Sequence, residues 1–137
     1  MLERDVVNKI RIALKAAGIR YVRKNIGNMH SSGRVDLELV TNGILTGIEV
    51  KRDEKCLRDE VTALQWEEIE AIQAAGGVAF AATICGGRGK YNILLRYSQK
   101  ESTPIELELN TWAQRVAAAQ QQLRVIDYIR RGQSQTQ

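Results

Sequence analysis

Apolar positions recur along this chain with two periods, and the switches between them lay out its elements. Residues 2–17 set Val6, Val7, Ile10, Leu14 and Ala17 at helical spacing, with Gly18 as the C-cap. Residues 19–26 read as a strand with basic residues on its wet side, and Gly27 to Arg34 as a polar loop. Val35 to Val40 and Ile44 to Lys51 then alternate around Asn42-Gly43, the dipeptide of a two-residue type I′ hairpin. A charged connector, Arg52 to Glu60, leads to a helix over roughly residues 61–75 with an apolar stripe of Val61, Leu64, Ile69 and Ile72. Thr62 marks its start and Gly76-Gly77 its end. Val78 to Ile84 and Tyr91 to Tyr97 read as strands joined by the basic turn Gly86-Gly87-Arg88-Gly89-Lys90. That turn is not a P-loop, because the spacing is wrong and no Ser or Thr follows the lysine. After Pro104 come a short alternating strand, residues 105–109, and a last helix over roughly residues 112–131, capped by Asn110 or Thr111. Its apolar positions Trp112, Val116, Ala119, Leu123 and Ile126 form a 3.5-residue seam that suits a sheet or a partner helix. The order α-β-β-β-α-β-β-(β)-α predicts an α/β (α+β) domain built on a mixed sheet.

The hairpin carries the chemistry. With Thr41 facing Ile44, counting outward puts Asp36 directly opposite Glu49, and Lys51 follows on the same face. Asp36, Glu38, Val40, Leu45, Gly47, Glu49 and Lys51 make up the expected wet face; Val35, Leu37, Leu39, Ile44, Ile48 and Val50 make up the core face. Two bare carboxylates so close repel by roughly 1–4 kcal/mol, depending on the local dielectric. A bound Mg²⁺ reverses that sign, since it takes one or two carboxylates together with water and phosphate oxygens. The other reading is a charged solvent face on which Lys51 neutralises Glu49.

Composition narrows the class. A chain of 137 residues, 44% hydrophobic and 26% charged, is the size and make-up of one globular domain. No apolar run approaches a membrane span and the start is too polar for a signal peptide, so a cytoplasmic, non-membrane protein is expected. With only Cys56, Cys85 and His30, there is neither zinc-site spacing nor a disulfide framework. Charge is segregated: residues 1–34 hold eight Lys and Arg against two acids, whereas residues 35–85 hold four against ten. An acidic pocket with basic flanks suits metal-assisted chemistry on a polyanion.

Gly33-Arg34-Val35-Asp36, Gly47-Ile48-Glu49-Val50-Lys51, Thr62-Ala63-Leu64-Gln65 and Ala74-Ala75-Gly76-Gly77-Val78-Ala79-Phe80 together resemble a PD-(D/E)XK nuclease of the VRR-NUC branch. The resemblance covers roughly residues 1–84 and implies a restriction-endonuclease-like domain over 1–132, with residues 85–132 as an extension and 133–137 as a flexible tail. It implies a Mg²⁺-dependent DNA endonuclease, with Mn²⁺ able to substitute. The metal ligands would be Asp36, Glu49, the Val50 carbonyl and Glu3. Lys51 would be the catalytic lysine, and Gln65 would orient water or substrate. Val35 departs from the family's usual proline, a position without chemistry; Glu38 shares the acidic face but receives no role. Small nucleases of this family often act as homodimers on branched, Holliday-junction-like DNA in phage or mobile-element replication and repair. A sequence-specific restriction or homing enzyme and an inactive DNA-binding module are the alternatives. Arg23, Lys24, His30, Arg34, Arg88 and Lys90 are candidates for contacts to DNA phosphates, and Trp66 and Trp112 for packing.

Overall fold

Local signals in this chain build a mixed sheet with helices on both sides. The computed structural model describes residues 1–25, 34–101 and 103–118. In chain order the elements are α1 (Glu3–Ala16), β1 (Val22–Lys24), β2 (Leu37–Thr41), β3 (Ile44–Val50), α2 (Glu54–Asp59), α3 (Ala63–Ala74), β4 (Val78–Gly87), β5 (Lys90–Arg96), β6 (Ile105–Glu108) and α4 (Leu109–Ala117). The six strands lie side by side in sequence order. All neighbours are antiparallel except β3 and β4, which run parallel and therefore need a crossover, supplied by α2 and α3.

The hairpin register is the one its turn dictates. Asn42 and Gly43 both sit at positive φ (51° and 78°), and Thr41 faces Ile44 and Leu37 faces Ile48. Gly18 and Gly76 take the left-handed conformation just past α1 and α3, as helix stops. The predicted connector 52–60 contains a short helix instead, because the Asp53 side chain accepts from the Cys56 N–H at 2.8 Å and caps it. The last helix begins at Leu109. Its cap is not Asn110 or Thr111 but the Glu108 carboxylate, which accepts from both of their N–H groups. Most of the 3.5-residue seam, from Ala119 onward, lies outside the described residues.

Two cores result, one on each face of the sheet. α1 and α4 cover one face, where Ile10, Leu14, Leu37, Leu39, Ile48, Phe80 and Trp112 are buried. α3 and the end of α2 cover the other with Val35, Leu57, Trp66, Ile69, Ile72, Ala79, Ala81 and Leu94. The expected wet face of the hairpin is only partly wet: Val40 is exposed and Asp36, Glu38 and Leu45 are half-buried, but Gly47, Glu49 and Lys51 are buried. Val35 also leaves the face of Leu37 and joins the α3 core, since the regular strand begins only at Leu37. Leu64 points outward, 50% exposed, and Trp66 takes the buried position expected of it. Small residues allow the helix to lie close, for a Cβ on Gly47 would sit 2.7 Å from the Ile72 side chain.

Arg96 fastens α2 to the following loop. Its buried guanidinium lies 5.0 Å from the Trp66 ring and donates to the carbonyls of Leu57, Arg58, Gln99 and Glu101. β4 continues past Ile84 to Gly87, and β5 and β6 extend the same sheet. Among the described residues, no helix is long and apolar enough to cross a membrane.

Candidate active site

The strand that carries Glu49 lies inside the sheet, between β2 and β4. Its side chain points toward α3 and is 3% exposed. Gln65, at the start of α3, donates from Nε2 to Glu49 Oε1 at 2.8 Å. The same amide accepts the Thr62 N–H through Oε1 at 2.9 Å, while Thr62 Oγ1 accepts the Gln65 N–H at 3.1 Å. This capping box fixes the rotamer of Gln65, so the helix terminus aims the amide at the glutamate. Gln65 thus holds Glu49 by one of its carboxylate oxygens.

Asp36 sits in the bend before β2, and its Oδ2 accepts the Val50 N–H at 2.8 Å. The two acids meet as the register requires. Burial, and after it the Asp36 charge and a hydrogen bond to Asp36 that needs a shared proton, push the Glu49 carboxyl up to about 9. Lys51 and Glu3 act on it more weakly, with opposite signs. Without that shared proton, Glu49 Oε2 is a buried acceptor that no donor among the described residues reaches. An acceptor left that way costs about 1–3 kcal/mol, more when charged, and a proton or cation removes the cost.

Lys51 follows β3 and is 8% exposed; its N–H bonds to the Ala82 carbonyl at 2.8 Å, which continues the parallel ladder. A cavity of about 460 Å³ opens beside it, lined by Leu2, Glu3, Lys51, Arg52, Cys56 and Glu60. Glu3, in the first turn of α1, lies at this rim, and its carboxyl is raised by partial burial and then by Asp36. The Cys56 thiol is held up at about 11, chiefly by its bond to Glu60 and then by burial, so it stays protonated at neutral pH.

The structure thus brings Asp36, Glu49, Lys51, Gln65 and Glu3 together at one end of β3. Val50 contributes its N–H to Asp36. No three His, Cys, Asp or Glu side chains among the described residues form a ready-made metal cluster. Mg²⁺ does not need one, because two carboxylates, a backbone carbonyl and water make a full set. The basic candidates are scattered. Arg23 and Lys24 are exposed on edge strand β1, and Arg34 is paired with Glu38 at 3.2 Å. Arg88 and Lys90 are exposed at the β4–β5 turn, with Arg88 at φ 56°. Ala82 faces Val50 across the ladder, so that turn stands roughly 16 Å beyond the site along β4, at 3.3 Å per residue. His30 lies outside the described residues. Sequence reasoning missed Asn25, which donates from Nδ2 to the Val35 carbonyl at 2.7 Å and from its N–H to the Asp36 carbonyl at 2.8 Å. The one available signal was its place at the end of a strand that pairs with β2, and that register depends on tertiary closure. No family model matches this chain, and no curated protein matches it either.

Proposed function

We propose that this protein is a Mg²⁺-dependent endonuclease of the PD-(D/E)XK type that hydrolyses DNA phosphodiesters. One observation carries the reading: a buried glutamate with an orphaned oxygen, beside an aspartate and two residues before a lysine at the wall of an open cavity. A structural core has no use for that combination, whereas a cation site does.

Asp36, Glu49 and the Val50 carbonyl would hold the metal, with Glu3 reaching it from α1. Bound there, Mg²⁺ supplies Lewis acidity toward a phosphate oxygen and an acidified water. The chain's own groups do the rest. Gln65 keeps one Glu49 oxygen occupied, so the other presents in a fixed direction. Lys51 lines the cavity, and its ammonium would stabilise the negative charge that a phosphate oxygen gains as the nucleophile adds. Arg52 lines the same cavity, with its guanidinium 3.6 Å from the Asp53 carboxylate.

Branched, junction-like DNA is the substrate to test first, against linear duplex, flap and single-stranded forms. The protein is incubated with each labelled DNA and Mg²⁺ or Mn²⁺, alongside Glu49→Ala and Lys51→Ala. Cleavage that needs the metal and vanishes in both variants is expected. Full cleavage by Asp36→Asn would overturn the site, and metal-independent binding without cleavage would favour an inactive DNA-binding module. Sedimentation with and without residues 119–137 tests whether two copies pair through the C-terminal seam.

A further inference from the structure

Glu38 lies two residues beyond Asp36 on the same side of β2, yet it does not face Glu49. Across the ladders its partners are Gly47 on β3 and Arg23 on β1. Its side chain is 16% exposed, and a single oxygen, Oε1, takes two donors: Asn25 Nδ2 at 2.9 Å and Arg34 Nε at 3.2 Å. Asn25 directly follows β1, and Arg34 lies two residues before Asp36. The other Nδ2 hydrogen of Asn25 goes to the Val35 carbonyl, and the Asn25 N–H goes to the Asp36 carbonyl. Both donors of the amide are then used, so Asn25 cannot rotate without breaking a bond. Charge on the acceptor strengthens both contacts to Glu38.

We propose that Glu38 is a positioning residue: its carboxylate ties Asn25 to Arg34 and thereby fixes the Asp36 backbone so that the aspartate side chain meets the Val50 N–H. The latch rests on geometry, and its consequence for catalysis rests on the nuclease reading above. It also explains why Glu38 shares the acidic face without being a metal ligand. Its Oε1 is already occupied, and its neighbour across β3 has no side chain.

Hydrogen exchange on the metal-free protein tests the latch without reference to activity. The Val50 amide bonds to Asp36, whereas the next amide, Lys51, bonds to Ala82 and serves as the internal reference. Glu38→Ala should raise the Val50-to-Lys51 exchange ratio about tenfold, the loss of roughly one hydrogen bond. Arg34→Ala, at an exposed position, should raise it in the same direction. Glu38→Gln, which keeps an acceptor oxygen, should restore most of it. In cleavage assays Glu38→Ala should raise the Mg²⁺ concentration for half-maximal rate about tenfold at unchanged KM for DNA, with rescue by Gln. An unchanged exchange ratio in Glu38→Ala, or Gln no better than Ala, overturns the latch. If the ratio responds but the wild type neither binds Mg²⁺ nor cuts DNA, the latch stands and the nuclease reading falls.

Discussion

Glu49 has Gln65 on one oxygen, Asp36 close by, and Ala81 beside it in the parallel ladder. Unfolding would return its carboxyl from about 9 to its ordinary value near 4.5. Between those values the folded chain holds a proton that the unfolded chain has released. Stability of the metal-free protein therefore falls as pH rises through that window. Glu49→Gln keeps an acceptor for Gln65 and removes the titration. Thermal unfolding from pH 5 to pH 9 without divalent ions should show a downward slope in the wild type. The slope should be much flatter in Glu49→Gln, with the variant the more stable at the alkaline end. A wild-type profile that rises with pH would contradict this account. The opposition of Asp36 and Glu49 was legible because a type I′ turn leaves no freedom in register. Asn25 and Glu38 were not, since their bonds join segments that only the folded sheet brings together.

Among the elements, α3 covers the Glu49 end of the acidic face. The Thr62-x-x-Gln65 box could be read from the chain as a helix start, and so could the glycines at its end. That the helix would lie over Glu49 could not, because covering a face is a property of the crossover and not of the strand. The same gap explains Leu64: alternative apolar stripes fit the sequence, and packing against Ala79 and Ala81 selects the one through Trp66, Ile69 and Ile72. Gly77 marks how tightly α3 is joined to β4. A Cβ there would lie 2.7 Å from Ile72 Cγ2 and 3.0 Å from the Leu45 carbonyl oxygen, which is backbone and cannot swing away. Gly77→Ala should cost about 1–3 kcal/mol in denaturant unfolding. At the other end of the chain, Glu108 caps α4 and its carboxyl is lowered by the N–H groups of Asn110 and Thr111. Glu108→Ala should cost about 1 kcal/mol at neutral pH. That difference should disappear as pH falls through the lowered value, where the wild-type carboxylate gains its proton.

For the whole molecule, a cation held as proposed between Asp36 and Glu49 would couple to folding of the sheet, because Glu49 lies on its interior strand β3 and Asp36 bonds to the Val50 N–H of that strand. Mg²⁺ at 100 times its Kd should raise the unfolding free energy by about 2.7 kcal/mol, and melting should shift upward in the wild type but not in Glu49→Gln. An equal shift in both would place the binding elsewhere. The parallel pairing of β3 with β4 has a kinetic consequence as well. The β2–β3 hairpin is local and closes in microseconds, so Asp36 and Glu49 first meet in water. The parallel ladder waits for a long loop to close, and slow non-local pairing of this kind limits folding. The helix that buries the acids arrives in that same late event, and a charged pair would resist it. The last step of folding should therefore take up a proton or a divalent cation, and in alkaline, metal-free solution refolding should slow while the hairpin still forms at its usual rate.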